Sequence, residues 1–316
     1  MADLLKNPIF QDEAKAREWL EARVWPNGAV CPHCGVTGDD VTKLEGEAHR
    51  AGVYQCKECR QQFTVTVKTV FERSKIPLTK WLAALFLMTA SKKGVSAHQV
   101  HRMLGISYKS TWFMMHRLRE AMRTGGLEPM GGEGQVVEAD ETYFGKTAQA
   151  QVSKQRQGRP YKRKVLNNRP ILALVERGGS VRTFHVPVAD QVTVATIVRE
   201  NIKRESRLHT DESKLYKQVG KGYAAHETVV HTAGEYARGD VTTNTVEGYF
   251  SVFKRGMRGV YQHCAEKHLH RYLAEFDFRY NNRIALGVND GERAALLAKG
   301  IQGKRLTYRR PHAAEL

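Results

Sequence analysis

The chain has 316 residues, 41% hydrophobic and 26% charged, which suffices for two or three globular modules and is too apolar for a disordered chain. Fifty Lys and Arg against 33 Asp and Glu leave a net charge of +17, the footprint of a protein that meets a polyanion. The longest apolar run, Trp81 to Ala90, falls short of the roughly 20 residues that a membrane span needs, and no lipid-anchor motif or basic amphipathic anchor favours a membrane surface, so DNA is the expected partner.

Met1 to Gln11 is mixed and lacks the apolar core of a signal peptide, which predicts a cytoplasmic, nucleoid-associated protein. Positions 1–28 read as an N-terminal helical segment. Within it, 12–24 form a short helix with Ala14, Ala16, Trp19, Leu20 and Val24 toward one side, broken by Trp25-Pro26-Asn27-Gly28.

Positions 29–70 carry two C-x-x-C knuckles, Cys31-Pro32-His33-Cys34 and Cys56-Lys57-Glu58-Cys59, with 21 residues between them. Two such thiolate pairs suit one structural, tetrahedral Zn²⁺ and predict a zinc ribbon, with Val53-Tyr54-Gln55 and Gln62 to Thr66 as strands. Disulfides do not fit a chain without a secretory signal, and a redox pair would not come twice in a strand-poor module. With four Cys available, His33 is expected outside the ligand set. Arg50, Lys57, Arg60 and Lys68 would be exposed around the ribbon, which either grips DNA ends or simply packs against its neighbours; the charges favour DNA.

Positions 71–124 turn helical after Pro77, with Leu78, Trp81, Leu82, Leu85 and Phe86 on one face. Ser96 to Leu104, the turn Gly105-Ile106-Ser107, and Tyr108 to Met122 then read as a helix-turn-helix. Its second helix would bury Trp112, Met115, Leu118 and Met122, leaving Tyr108, Lys109, Thr111, Arg117 and Arg119 for DNA; a plain connector hairpin is the alternative. His98, His101 and His116 make no metal constellation. Positions 125–134, with Gly125-Gly126 and Gly131-Gly132-Glu133-Gly134, read as a glycine-rich linker rather than a phosphate loop, because no Lys-Ser/Thr pair follows.

Positions 135–285 read as an α/β domain with its site at strand ends. Val136 and Val137 open a strand that delivers Asp140. From Lys146 to Lys164 the chain is basic and acid-free, including Lys154, Arg156, Arg159, Lys162, Arg163 and Lys164, which predicts a flexible loop that orders on DNA or stays solvated. Ile171 to Val175 and Val181 to Val188 form a hairpin, Val192 to Ile202 a helix, and Ser206 to Asp211 the strand that places Asp211 beside Asp140. Thr228 to His231 is a last short strand, with His231 either structural or near substrate.

From Asn244, Val246, Phe250, Phe253 and Met257 make one apolar helical stripe, so Glu247, Ser251, Lys254 and Arg258 fall on the adjacent face. Exactly 35 residues separate Asp211 from Glu247. Three carboxylates from three elements are what a two-metal phosphodiester site needs, with hard Mg²⁺ (Mn²⁺ as the alternative) on oxygen ligands and Lys254 as an auxiliary cation. Glu138, two residues before Asp140 on the same strand face, is the main rival for the first role; Glu141 and Glu212 are weaker rivals, and Asp240 is loop or capping chemistry. His268 to Tyr280 backs this helix through Leu269, Tyr272, Leu273, Phe276 and Tyr280, and Cys264 is a lone buried thiol. Positions 286–316 read as a basic C-terminal tail, poorly ordered from Gly303 onward, with Lys304, Arg305, Arg309 and Arg310.

Asp140-Glu141-Thr142-Tyr143, His209-Thr210-Asp211-Glu212, Asn244-Thr245-Val246-Glu247-Gly248-Tyr249-Phe250 with Lys254, and Lys267-His268-Leu269 through Phe278-Arg279-Tyr280-Asn281 resemble the DDE transposases of bacterial insertion sequences, in the subgroup with an N-terminal zinc ribbon. The resemblance implies an RNase H-like catalytic domain using Mg²⁺, with Asp140, Asp211 and Glu247 as its acids, and a multimer on paired element ends. Where that family often has His before Thr-Asn, this chain has Thr242-Thr243 before Asn244, and some relatives place Asn at the third acid. A DDE-type nuclease without strand transfer and a zinc-ribbon DNA-binding regulator without catalysis are the two other readings.

Overall fold

The computed structural model describes residues 6–152 and 165–307. Lys154, Arg156, Arg159, Lys162, Arg163, Lys164, Arg309 and Arg310 lie outside them. The chain divides into two units, Met1–Arg123 with Gly287–Leu316, and Thr124–Leu286.

In the first unit, helix α1 (Glu13–Val24) starts where Asp12 accepts the backbone N–H groups of Ala14 and Lys15, and it buries Ala16, Leu20 and Val24. The ribbon follows as strands β1 (Val41–Lys43), β2 (Tyr54–Cys56) and β3 (Gln62–Phe63), antiparallel in that order. Too small for an aliphatic core, it packs the rings of Trp25, Tyr54 and Phe63 together, with centroids 5.3–5.8 Å apart. Helix α2 (Leu78–Ala90) begins after Pro77, which has no capping side chain; the Glu13 carboxylate takes that role, accepting from Leu78 N–H at 2.9 Å and Thr79 N–H at 3.3 Å.

The predicted helix-turn-helix is present as a helical hairpin. Helix α3 (Ala97–Leu104) ends on Gly105, whose φ of 60° is the left-handed cap that glycine adopts cheaply, and Ser107 accepts from Ser110 N–H to start α4 (Tyr108–Met122). Its expected DNA face needs correction. Thr111, Arg117 and Arg119 are buried. The Arg117 guanidinium lies over the Trp81 and Phe113 rings and donates to the Glu72 carbonyl at 2.6 Å. Tyr108 and Lys109 are exposed, as expected.

The far end of the chain joins the same unit, since α8 (Asp290–Lys299) packs on α1, α2 and α4. The segment read as a basic tail is therefore part of this unit's core: Ala294, Leu297, Ala298 and Ile301 are fully buried. Past Gly303, whose N–H donates to the Lys68 carbonyl, Lys304 Nζ donates to the last carbonyls of α4, Ala121 at 2.8 Å and Arg123 at 2.5 Å. That cation is committed to a helix C-terminus, where the backbone dipole favours it.

The second unit is built on five strands: β4 (Val136–Val152), β5 (Val165–Glu176), β6 (Val181–His185), β7 (Arg207–Asp211) and β8 (Ala225–Val229). Their spatial order is β6-β5-β4-β7-β8, with the first three antiparallel and β4, β7 and β8 parallel. Residues alternate between faces along each strand, and both faces of β5 are covered. Ile171, Ala173 and Val175 pack on α6 (Asn244–Gly256) and α7 (Leu269–Asn281), whereas Leu172 and Leu174 join Val137, Ala139 and Leu208 against α5 (Gln191–Asn201). A mixed sheet in this order, with helices on both faces, is the RNase H-like fold.

Two sequence expectations change here. Of the basic stretch Lys146 to Lys164, the described part, 146–152, continues β4, which pairs as far as Val152 with Val165 through two register shifts; the remainder of the expected loop lies outside the described residues. The glycine-rich stretch also contributes to this unit: Met130 is buried and bonds on both sides of Ile202, through Asn201 O and Lys203 N. Gly131 has φ 81°, and a Cβ there would meet Ser206 Oγ at 2.2 Å, so only glycine lets the chain pass.

Candidate active site

The parallel pairing of β4 with β7 sets Glu138 opposite His209. Two residues further along each strand stand Asp140 and Asp211, so both carboxylates stand at the same level of adjacent strands, where Asp211 closes β7, and strands lie about 4.8 Å apart in a sheet. Burial first, and then the charges of Glu141, Asp211 and Glu247, push the Asp140 carboxyl up to about 8. Asp211 is also raised, by burial against the opposing N–H of Ser213, which it accepts at 3.0 Å.

Glu247 arrives from α6, which a further acid, Glu138, fixes in place. Glu138, fully buried, accepts from Thr245 N–H at 2.8 Å, Val246 N–H at 3.0 Å and the Thr245 hydroxyl at 2.9 Å, and it pairs with Arg177 at 2.7 Å. Glu138 thus caps the helix and has no oxygen facing the site. As the rival first acid it is excluded by this burial and saturation. Arg177 also donates to the carbonyls of Asp240 and Thr242, holding the turn that enters α6.

Glu247 itself is exposed; its Oε1 accepts from the Thr243 hydroxyl at 2.9 Å and lies 3.4 Å from His231 Nε2. Asn244, the alternative third residue, is exposed at the first turn of the same helix. Glu212 turns away to accept the backbone N–H groups of His231 and Thr232. Asp240 pairs with Arg207, the structural role expected of it. Glu141 differs from expectation: it interacts with both Asp140 and Asp211, and its Oε2 accepts from the hydroxyl of the fully buried Tyr216 at 2.8 Å. Nothing in the sequence around Tyr216 marks it, because its role depends on the fold alone.

Lys254 is half-buried, two turns beyond Glu247, with Nζ 6.0 Å from the Phe250 ring centroid. Arg258 is exposed, within the π-helical turn Met257–Tyr261 that follows α6 and breaks its 3.6-residue register. Among the described residues, the four cysteines are the one group of three or more Cys, His, Asp or Glu with all ligand atoms within 4.8 Å of one another. The acids thus share one electrostatic environment without closing to that distance. Their donor set, hard carboxylate oxygens at a sheet end, fits divalent ions of the Mg²⁺ type.

The cysteine cluster fits zinc. Cys31 Sγ lies 3.6 Å from Cys59 Sγ and Cys34 Sγ 3.5 Å from Cys56 Sγ. Four thiolates about 2.3 Å from one tetrahedral ion would stand roughly 3.8 Å apart. Burial opposes ionisation of Cys31, but the Cys34 and His33 backbone N–H groups and the neighbouring thiols outweigh it and bring that thiol down to about 7. His33 is exposed and outside the cluster.

Comparison with known proteins agrees with this anatomy. Residues 131–281 match the ISXO2-like transposase domain and residues 11–62 the transposase zinc-ribbon domain. A protein of the transposable element ISH50 from Halobacterium salinarum is 27% identical over 285 residues, covering 85% of this chain and 91% of its own length. A transposase-like protein from Haemophilus influenzae is 26% identical over 102 residues, 32% of this chain and 81% of that one. Among solved structures, the Mos1 strand transfer complex aligns at 10% identity and TM-score 0.28, covering 69% of this chain and 74% of that chain, and a simian T-cell lymphotropic virus intasome at 13% and 0.29, covering 56% and 63%. Those two superpositions are too slight to carry an argument. The paired family domains, with a four-cysteine zinc ribbon ahead of an RNase H-like sheet that presents Asp140 and Asp211, show that the chain belongs to the ISXO2-like DDE transposases, the DNA transposases of insertion sequences.

Proposed function

We propose that Asp140, Asp211 and Glu247 are the acids that hold two divalent ions, Mg²⁺ or Mn²⁺, for cleavage at the element ends and for transfer of the freed 3′-hydroxyl into target DNA. When bound, such ions activate the attacking oxygen and stabilise the leaving one. The register of β4 on β7 carries this reading, because it brings Asp140 and Asp211 to one edge without any help from a ligand. Burial first, and then the neighbouring charges of Glu141, Asp211 and Glu247, raise the Asp140 carboxyl, and a bound cation would offset both.

The protein's own groups orient the rest. Glu138 and Arg177 lock the start of α6, Thr243 donates to Glu247, and Tyr216 donates to Glu141 beside Asp140. Lys254, Arg258 and, in the hairpin, Lys109 are the described cations proposed to meet DNA phosphates; Lys162, Arg163 and Lys164 are proposed for the same role outside the described residues. A homo-oligomer on paired ends would supply one such site per strand.

The test is a strand-transfer assay on oligonucleotide ends from the element that encodes this chain. Mg²⁺-dependent nicking with joined products is the expected result. Nicking without joining would leave a nuclease, and binding without nicking a regulator.

A further inference from the structure

We propose that Tyr236, backed by His231, is a stacking platform for an unpaired nucleobase beside the phosphate held at the acids. This inference rests on the cleavage reading above and names how the DNA would be gripped there. Tyr236 is 64% exposed, far from the usual state of a tyrosine ring in a folded unit. Its centroid lies 5.5 Å from that of His231, and His231 Nε2 is 3.4 Å from Glu247 Oε1 and 3.3 Å from the Thr243 hydroxyl. The ring therefore stands one residue's breadth from a proposed catalytic acid.

The loop that presents Tyr236 is built. Glu235 N–H donates to the Val230 carbonyl and Val230 N–H to the Glu235 carboxylate, both at 3.1 Å. Gly234 takes the left-handed conformation that closes the turn after His231. On the other side, β9 (Ala237–Arg238) pairs with β10 (Val241–Thr242), and Arg238 donates to the Thr228 carbonyl at 3.1 Å. Tyr143, 48% exposed and two residues beyond Glu141 on β4, is a second exposed ring, within reach of the Glu141 charge.

Carboxylates repel a phosphate backbone, so a site built of them gains from a contact that carries no charge. Every base has a π-face, and stacking on an aromatic ring is sequence-tolerant. Proteins that hold unpaired strands use such rings, beside cations that track the backbone, as the surfaces on which bases stack.

The experiment uses the full chain, without added divalent ions, and two duplex oligonucleotides. One carries 2-aminopurine as a single-nucleotide bulge; the other carries it paired. The protein should bind the bulged duplex more tightly and quench its fluorescence. Tyr236→Ala should lose the quench and on the order of 10-fold of the preference, with binding to the paired duplex unchanged. Tyr236→Phe, which keeps the ring, should retain both. Preference and quench surviving in Tyr236→Ala, or lost equally in Tyr236→Phe, would overturn the platform. Because no cleavage enters this measurement, a wild-type chain that shows the preference but never nicks DNA would sink the cleavage reading and leave the platform standing.

Discussion

Glu138 reaches across 107 residues to close the N-terminus of α6 at Thr245, accepting both its backbone N–H and its hydroxyl. The helix carrying Glu247 is thereby tied to the strand carrying Asp140, and Arg177 neutralises the buried charge that makes the tie. Removing one partner of a buried ion pair typically costs about 3–5 kcal/mol, because the other is left uncompensated. Glu138→Ala should therefore destabilise the catalytic unit by about that amount in urea denaturation. Glu138→Gln, which keeps the shape and an acceptor, should cost less, about 1–3 kcal/mol. A Glu138→Ala protein as stable as its parent would contradict the capping role.

Asp140→Asn and Asp211→Asn should abolish cleavage while leaving DNA binding intact or slightly tighter. Neither substitution adds negative charge beside a phosphate, so neither can weaken attraction to it. Parallel gel-shift and nicking assays separate the two effects. Normal nicking in both variants would remove the acids from the mechanism.

The contrast between these acids shows what a sequence can convey. Asp140 was legible because the β-branched Val136 and Val137 lead into it, although β4 runs on to Val152, and Asp211 because it closes the five-residue strand β7; parallel register does the rest. The cysteine ribbon was legible because knuckle spacing encodes a tetrahedron directly. Glu138 looked like a rival ligand, since period-two alternation puts it on the face of Asp140; only the helix packed on that face converts it into a cap. Arg117 and Arg119 read as a DNA face for a related reason. Helical periodicity reports one buried stripe; it cannot register Trp81 and the Glu72 carbonyl, which take up Arg117, or the second helix that arrives from residue 290 onward.

That second helix has a measurable weight. Leu297 is fully buried on α8, and Leu→Ala at such a site typically costs about 2–5 kcal/mol. Leu297→Ala, or truncation after Leu286, should lower the melting temperature of the N-terminal unit while the catalytic unit keeps its own transition. Limited proteolysis with fragment identification would assign each transition. A truncated chain whose N-terminal unit melts unchanged would return the C-terminal segment to the status of a tail.

Zinc removal should act on the ribbon first. Its sheet has three strands of two or three residues, and structural zinc contributes on the order of 10–16 kcal/mol in comparable small modules. One zinc per chain should be found by elemental analysis, and Cys34→Ser or Cys56→Ser should lose it. A zinc-selective chelator should then expose the ribbon to protease. Full protection after chelation would mean that its aromatic core holds without the metal.

The acid site predicts a pH dependence of definite sign. In the metal-free folded protein Asp140 titrates at about 8, raised by burial and then by Glu141, Asp211 and Glu247, whereas in the unfolded chain it returns to about 3.9. Between those values the folded state holds a proton that the unfolded state lacks, so the free energy of unfolding falls as pH rises from about 4 to about 8. Asp140→Asn cannot titrate and should flatten that slope. Divalent ions compete with the same proton, so the thermal stabilisation that Mg²⁺ provides should grow as pH rises toward about 8. Melting curves at a series of pH values, with and without Mg²⁺, measure both effects. An Asp140→Asn profile identical to the wild type, or a Mg²⁺ shift independent of pH, would show that Asp140 is not the group that exchanges its proton for a metal.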